Sequence, residues 1–299
     1  MPLMSVHGEQ VERSAITCLV LTNDGDTVLQ ASQSGVFVRD WQSLSVQRRI
    51  QLPFTQIHDL EFSDNEQVFY CAGGVPGESG GVAAFSWPAG EQLWHKRLSD
   101  DVVYSVAAHK TVLATGLHDH SVRLLDAMSG AETATLNGHS KPVRDVQFLD
   151  SKLLLSCSLD QTIRVWNLET QKIERSLNNH KLAVNGMALR PATASSLPMI
   201  ASCSNDKTVR LWQPTIGRLV RFKRLTRTVS CLTFSTDGQS IIAGSHDGSV
   251  HFVNVDTLQT KTIPDVSSTW INCVVRHPAA DIILVGDAEG NLSKLKSPQ

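Results

Sequence analysis

The segment SCSLDQTIRVWN at 156–167 recurs almost intact as SCSNDKTVRLWQ at 202–213. An internal repeat of this kind constrains the fold more tightly than composition does, because each copy must adopt the same supersecondary unit. Looser copies stand at 115–126 (TGLHDHSVRLLD) and 243–254 (AGSHDGSVHFVN). Three more, at 29–40, 77–87 and 284–295, keep little beyond the turn and the apolar alternation. Aligned on the turn position, the copies fall at residues 33, 79, 119, 160, 206, 247 and 289, at intervals of 46, 40, 41, 46, 41 and 42 residues. One unit therefore occurs seven times with a period near 43.

Each unit has the same anatomy. A first strand such as VRDVQF (143–148) is followed by a turn and a second strand such as SIIAGS (240–245). A tight turn centred on Asp leads to a third strand, TIRVWN (162–167), and a polar turn leads to a fourth, IERSL (173–177). Short alternating strands between Gly, Asp and Asn turns signal all-β structure. No segment carries a sustained 3.6-residue apolar period, so essentially no helix is expected. Four antiparallel strands per unit at this period predict a seven-bladed β-propeller.

The last unit, ending in NLSKLKSPQ, has only three strands. The residues LMSVHGEQV at 3–11 are predicted to supply its fourth and close the ring, which hides two sheet edges. The expected organisation is one domain over 1–299. Its repeats fall at about 15–50, 56–98, 102–138, 139–178, 180–225, 227–263 and 268–297, with 3–11 completing the last.

Net charge is −2, so global charge does not point to nucleic acid or an anionic membrane. No basic-then-apolar leader is present at the N-terminus, and no apolar run reaches the roughly 20 residues that span a bilayer. The expected location is cytoplasm or nucleus. The six cysteines form no CxxC pair and sit in strand-like runs such as ITCLVL and VSCLTF. There they read as small buried hydrophobes.

On these residues the chain resembles the WD-repeat β-propeller family from end to end. That repeat places Gly-His before the first strand and Trp-Asp at the end of the third. Gly138-His139 with Trp166-Asn167, and Asn179-His180 with Trp212-Gln213, are the two strong matches. The resemblance implies two hydrogen-bonded tetrads inside the blades: His139, Ser156, Asp160 and Trp166, then His180, Ser202, Asp206 and Trp212. An indole N–H only donates and a carboxylate only accepts, while Ser and His relay between them. Ser158 is an alternative to Ser156. The other units carry Arg39, Phe85, Leu125, Val253 and Leu295 at the Trp position and are expected to rely on apolar packing.

Ser, His and Asp also make up a hydrolase triad. The set occurs in two adjacent units, however, and no G-x-S-x-G elbow exposes a nucleophile, so both sets are read as framework. His118 and His120 in LHDH (117–120) lack a third metal ligand. The glycine-rich CAGGVPGESGG (71–81) has no P-loop Lys and is expected to be an enlarged loop, as is RPATASSLP (190–198). No catalytic, metal or cofactor residues are assigned.

The family resemblance implies a non-catalytic scaffold that binds proteins or peptide segments through the loops of one face. By position that face includes Phe54, Asp101, His118, Lys141, Lys181, Asn205, Arg227, His246 and Trp270. Trp270 is read either as an exposed anchor or as a plug against neighbouring loops. Lys141, Lys181, Lys207 and Arg227 make units four to six basic there, and Asp100 and Asp101 make unit three acidic. Two other readings remain at this point. GRLVRFKRLTR (217–227), with Arg218, Arg221, Lys223, Arg224 and Arg227 around Phe222, is an edge strand guarded by charge or a ribonucleoprotein contact. An enzyme pocket at the channel mouth would draw on Asp101, His118, His246 and Trp270.

Overall fold

The computed structural model describes residues 14–191 and 197–298. The strand expected at 3–11, and with it the closure of the last blade, lies outside the described residues, as does most of the 190–198 insertion. The described residues form seven antiparallel sheets in chain order, six of four strands and the last of three. The architecture is the all-β, seven-bladed β-propeller, and the blades are numbered one to seven along the chain. Among the described residues the only helical segment is a single 3-10 turn, Pro214–Ile216.

Blade four shows why these residues make such a sheet. Its strands are Val143–Phe148, Leu153–Ser158, Ile163–Asn167 and Lys172–Leu177. The second, LLLSCS, is buried along nearly all its length, whereas the fourth, KIERSL, is exposed at alternate or successive positions. A middle strand covered on both faces needs apolar or small side chains throughout; an edge strand carries charge that discourages pairing with other chains.

The chain divides into two compact units, Met1–Arg49 with Gly186–Gln299, and Ile50–Asn185. Within the first, Ala201 and Leu211 of blade five pack against Phe234 and Ile241 of blade six. Phe252 of blade six packs with Ile271 and Ile283 of blade seven, and Leu284 of blade seven with Ile16 and Val28 of blade one. Within the second, Tyr70 and Val82 meet Val103 and Leu113, and Ala114 and Val122 meet Val146 and Trp166. Burial of these side chains, at roughly 25 cal/mol per Å² of apolar surface, holds neighbouring blades together.

The glycine-rich segment 71–81 is not an enlarged loop. It is a long hairpin, Val68–Val75 paired with Ser79–Ser86, in which Gly73 faces Gly81 and Gly74 faces Gly80. Close backbone approach explains the composition. A Cβ on Gly73 would lie 2.2 Å from the Gln56 carbonyl oxygen, one on Gly80 2.0 Å from that of Asp101, and one on Gly81 2.2 Å from that of Lys96. The glycines let the strands continue where any side chain would break them.

Blade one also departs from the apolar expectation. Arg39, at the Trp position, is buried, and its guanidinium donates to Gln30 Oε1 and to the Leu44 carbonyl, both at 2.6 Å. Phe85 of blade two stacks on Phe69 with centroids 5.2 Å apart.

The first strands carry a feature that alternation conceals. In blades one, two, three, four, six and seven the register of the first strand slips by one residue near its start. The extra residues are Thr17, His58, Tyr104, Arg144, Ser230 and Asn272. Such a β-bulge leaves its residue out of the ladder and re-aims its side chain.

Candidate functional site

The tight Asp turn between the second and third strands organises each strong repeat. In blade four, Trp166 Nε1 donates to Ser156 Oγ at 2.8 Å, and Ser156 Oγ lies 2.7 Å from His139 Nε2. His139 Nδ1 lies 2.8 Å from Asp160 Oδ2. Because the carboxylate only accepts, the His139 proton is on Nδ1, and Nε2 accepts from the Ser156 hydroxyl. Every member of this chain is thus satisfied. Asp160 also accepts from the Ser140 and Thr162 N–H groups at 3.1 and 3.0 Å, and from the Thr162 hydroxyl. Ser158 does a separate job from Ser156: its hydroxyl donates to the Lys141 carbonyl at 2.9 Å and accepts from the Asp160 N–H.

Burial pushes the His139 ring below its ordinary pKa, more than the bond and charge of Asp160 raise it. Burial alone would raise the Asp160 carboxyl, but the hydrogen bonds from His139 and Thr162 outweigh it and hold the group well below the usual range. In blade five, Trp212 Nε1 donates to Ser202 Oγ at 2.8 Å. Asp206 there accepts from the Thr208 N–H at 3.0 Å and pairs with Arg210 at 3.5 Å. His180 is buried.

An immobilised imidazole spent on framework bonds is a poor general base. None of the six cysteines is joined in a disulfide, and burial pushes the Cys231 thiol up to about 12. Among the described residues, no group of three His, Cys, Asp or Glu side chains is gathered for a metal ion.

The loop residues fall into two sets. In the Ile50–Asn185 unit, His118 Nδ1 meets Asp101 Oδ2 at 3.0 Å, beside the Arg97–Asp100 pair at 2.7 Å. These four border a cleft of ≈ 540 Å³ whose charges largely compensate one another. Phe54 sits edge-on to His95 at 5.1 Å, and Lys141 is exposed, as is Lys181. His120 is exposed at a left-handed φ of 76°.

In the other unit, Arg227 and His246 line one cleft of ≈ 440 Å³ together with Lys207, Thr228 and Asp247. The His246 ring stacks face to face on Trp270, with centroids 4.3 Å apart and planes within 6°. Trp270 is 54% exposed, so it is an accessible platform rather than a plug. Asn205 precedes Asp206 in the adjoining turn and is partly buried.

The basic segment 217–227 is divided between tasks. Arg218–Arg224 is the edge strand of blade five. Arg221 donates to the backbone carbonyls of Val255 and Asp256 and lies 3.6 Å from the Asp256 carboxylate. Phe222, 51% exposed, lies under the Arg210 guanidinium at 5.2 Å. Arg227 leaves the strand altogether for the cleft.

Sequence reasoning missed the bulge residues. His58 and Tyr104 meet edge to face at 5.2 Å, and the Arg144 guanidinium lies 4.5 Å from the Tyr104 ring. One residue past each expected inward position was the only available signal, and alternation alone cannot supply it. Close by, Glu61 is pushed up to about 8, first by burial and then by Asp59, Asp145 and Asp64. The unfolded carboxyl titrates near 4.5. Below that value both states hold the proton and stability is undiminished. As pH rises from 4.5 through 8 the unfolded state releases the proton first, so stability falls. Glu61→Gln is expected to flatten this alkaline loss in urea melts at pH 5 to 9; an unchanged slope would place the cause elsewhere.

Seven repeated sheets, two of them locked by a Trp–Ser pair beside an Asp turn, define a repeat-built β-propeller. The family model for the WD domain, G-beta repeat, matches residues 130–167, 171–213 and 220–254. The chain carries WD repeats in those segments, within a seven-bladed β-propeller. It is 27% identical over 211 residues to mouse WD repeat and HMG-box DNA-binding protein 1, covering 67% of this chain and 18% of that one. It is 37% identical over 97 residues to Arabidopsis thaliana pre-mRNA-processing factor 19 homolog 2, covering 31% and 18%. It is 24% identical over 277 residues to rat apoptotic protease-activating factor 1, covering 79% and 22%. The chain thus spans about a fifth of the length of these relatives.

Proposed function

We propose that this chain is a non-catalytic scaffold, a propeller that binds a protein segment through its blade-connecting loops. The observation that carries the reading is the exposed Trp270 stacked on His246. A large aromatic held rigid by a neighbour, with one face open to solvent, is the kind of side chain that dominates protein interfaces. The His139 and Asp160 side chains, which look most chemical, are already committed to the framework. The proposed location is nucleus or cytoplasm. Two relatives whose names refer to DNA binding and pre-mRNA processing favour the nucleus.

The test is affinity capture from the native source with wild-type protein and Trp270→Ala, with mass spectrometry of what elutes. Trp270→Ala is expected to weaken partner retention by about 2 kcal/mol, roughly thirtyfold, with melting unchanged. Equal recovery by both proteins would remove Trp270 from the interface. A nucleic-acid contact through the edge strand at 218–224 is the second reading, favoured by exposed Phe222, Arg218 and Arg224. Commitment of Arg221 to blade six weakens it.

A further inference from the structure

The cleft beside Trp270 has a distinct charge pattern. Lys207 and Arg227 border it, and among the described residues neither has a carboxylate within ion-pair distance. Asp247, the one acidic residue on its wall, is turned into its own loop, where it accepts from the Ser249 N–H at 3.2 Å and the Ser249 hydroxyl at 2.5 Å. Burial lowers the His246 pKa, which disfavours charge on the ring where it stacks on the indole. The site therefore offers two cations without a carboxylate in ion-pair distance and, stacked on the His246 of its wall, an exposed aromatic face.

The backbone adds a second observation. Lys207 has a left-handed φ of 65°, immediately after the turn residue Asp206. In blades six and seven the equivalent position is Gly248 or Gly290, at φ of 77° and 86°, whereas blades three and four carry His120 and Gln161 there, both at 76°. Glycine adopts this conformation without penalty, whereas a lysine is strained in it. Blade five bears that strain and gains an ammonium group at the mouth of the cleft. The Lys207 carbonyl also accepts the Leu225 N–H at 2.7 Å, which ties this turn to the segment leading to Arg227.

We infer that this cleft is the docking site for an acidic segment of a partner protein, with Asp or Glu carboxylates between Lys207 and Arg227 and an adjoining apolar residue on the open face of Trp270. The inference rests on the scaffold reading and names the chemistry of its partner. Arginine takes a carboxylate through paired N–H donors, and lysine adds a movable point charge. Nucleic acid fits less well. Its affinity grows with the number of phosphates neutralised, and two cations in a protein of net charge −2 neutralise few.

The experiment uses the whole chain and a fluorescein-labelled pool of short peptides with Asp or Glu at alternate positions and Leu or Phe between them. The matched Asn/Gln pool and labelled oligo-dT serve as the other probes. Anisotropy is expected to show saturable binding of the acidic pool, about tenfold weaker in Arg227→Gln and in Lys207→Gly, and little binding of the amide pool. Lys207→Gly suits the left-handed turn, so it folds at least as well as the wild type and separates charge from stability. No binding of the acidic pool, equal binding of the amide pool, or preferential binding of oligo-dT would each overturn the inference. Partner capture separates this failure from that of the scaffold reading. A partner set retained by Lys207→Gly and Arg227→Gln but lost in Trp270→Ala overturns the acidic cleft and leaves the scaffold standing.

Discussion

Asp160→Ala is expected to destabilise the protein by about 3 kcal/mol, because it strips the acceptor from several donors at once, the buried His139 among them. The side chains of His139 and Asp160 are 0% and 4% exposed, so water cannot replace the bond between them. The substitution leaves His139 Nδ1–H and the Ser140 and Thr162 N–H groups searching for partners. Trp166→Phe removes only the donor to Ser156 and should cost about 1 kcal/mol, while Trp166→Ala adds a cavity and should cost about 4. Denaturant melts order the three variants. Partner capture below the melting range should be unaffected in all of them. A variant that loses partner binding while keeping full stability would show that the tetrad is a functional site after all.

The same residues give the acid limb a predictable form. His139 titrates lower when folded than when unfolded, so its contribution is fully present above about 6.5 and declines as pH falls below it. Asp160 is also depressed, and its contribution is present above 3.8 and is lost as pH falls below that value toward the folded pKa. Asp160→Ala removes the second decline outright and deepens the first, because the bond and charge of Asp160 raise the His139 pKa against burial.

Gly80→Ala should be nearly as damaging as Asp160→Ala, at about 3 kcal/mol, although it adds only a methyl group. That methyl would sit 2.0 Å from the Asp101 carbonyl oxygen and 2.9 Å from Ser99 Oγ, and a backbone oxygen cannot swing aside. The segment carrying Asp101 must move, and its ion pair with His118 should loosen with it. Gly77→Ala is the control. Gly77 has a φ of 71° but nothing within 4 Å of its would-be Cβ, so only the backbone penalty of about 1 kcal/mol applies. Equal denaturation midpoints for the two variants would mean that close approach is not what the paired glycines serve.

The fold was legible because the repeat is a record of one packing solution used seven times. The Asp turn of blade four and the apolar alternation of its third strand are enough to place a hairpin, and a constant period extends the reading to blades with no Trp at all. The hairpin at 68–86 escaped it because glycine reads as a breaker in sequence. Only the neighbouring carbonyls at Gln56, Lys96 and Asp101 show that these glycines sustain strands. Arg39 escaped for a related reason: a guanidinium at a core position looks like an error until Gln30 and the Leu44 carbonyl are seen to satisfy it. At the candidate site, sequence position put Arg227, His246 and Trp270 in loops. It gave no hint that His246 and Trp270 stack, or that Arg221 and Arg227, neighbours in one basic run, serve different ends. Those facts depend on contacts between blades, which no single repeat encodes.

The register slips at the start of the first strands have an evolutionary consequence. A residue that lies outside the ladder is not tied to strand pairing, so its side chain serves other contacts: Ser230 donates to the Gly244 and Ile271 carbonyls, and Asn272 to the Ile16 carbonyl. The chain already samples this freedom, with hydroxyls at Thr17 and Ser230, an amide at Asn272, an imidazole at His58, a phenol at Tyr104 and a guanidinium at Arg144. Six of the seven blades thus offer one socket of this kind at a fixed address. A lineage that duplicates such repeats acquires new surface chemistry by single substitutions at these addresses, while selection on stability acts elsewhere in the sheet.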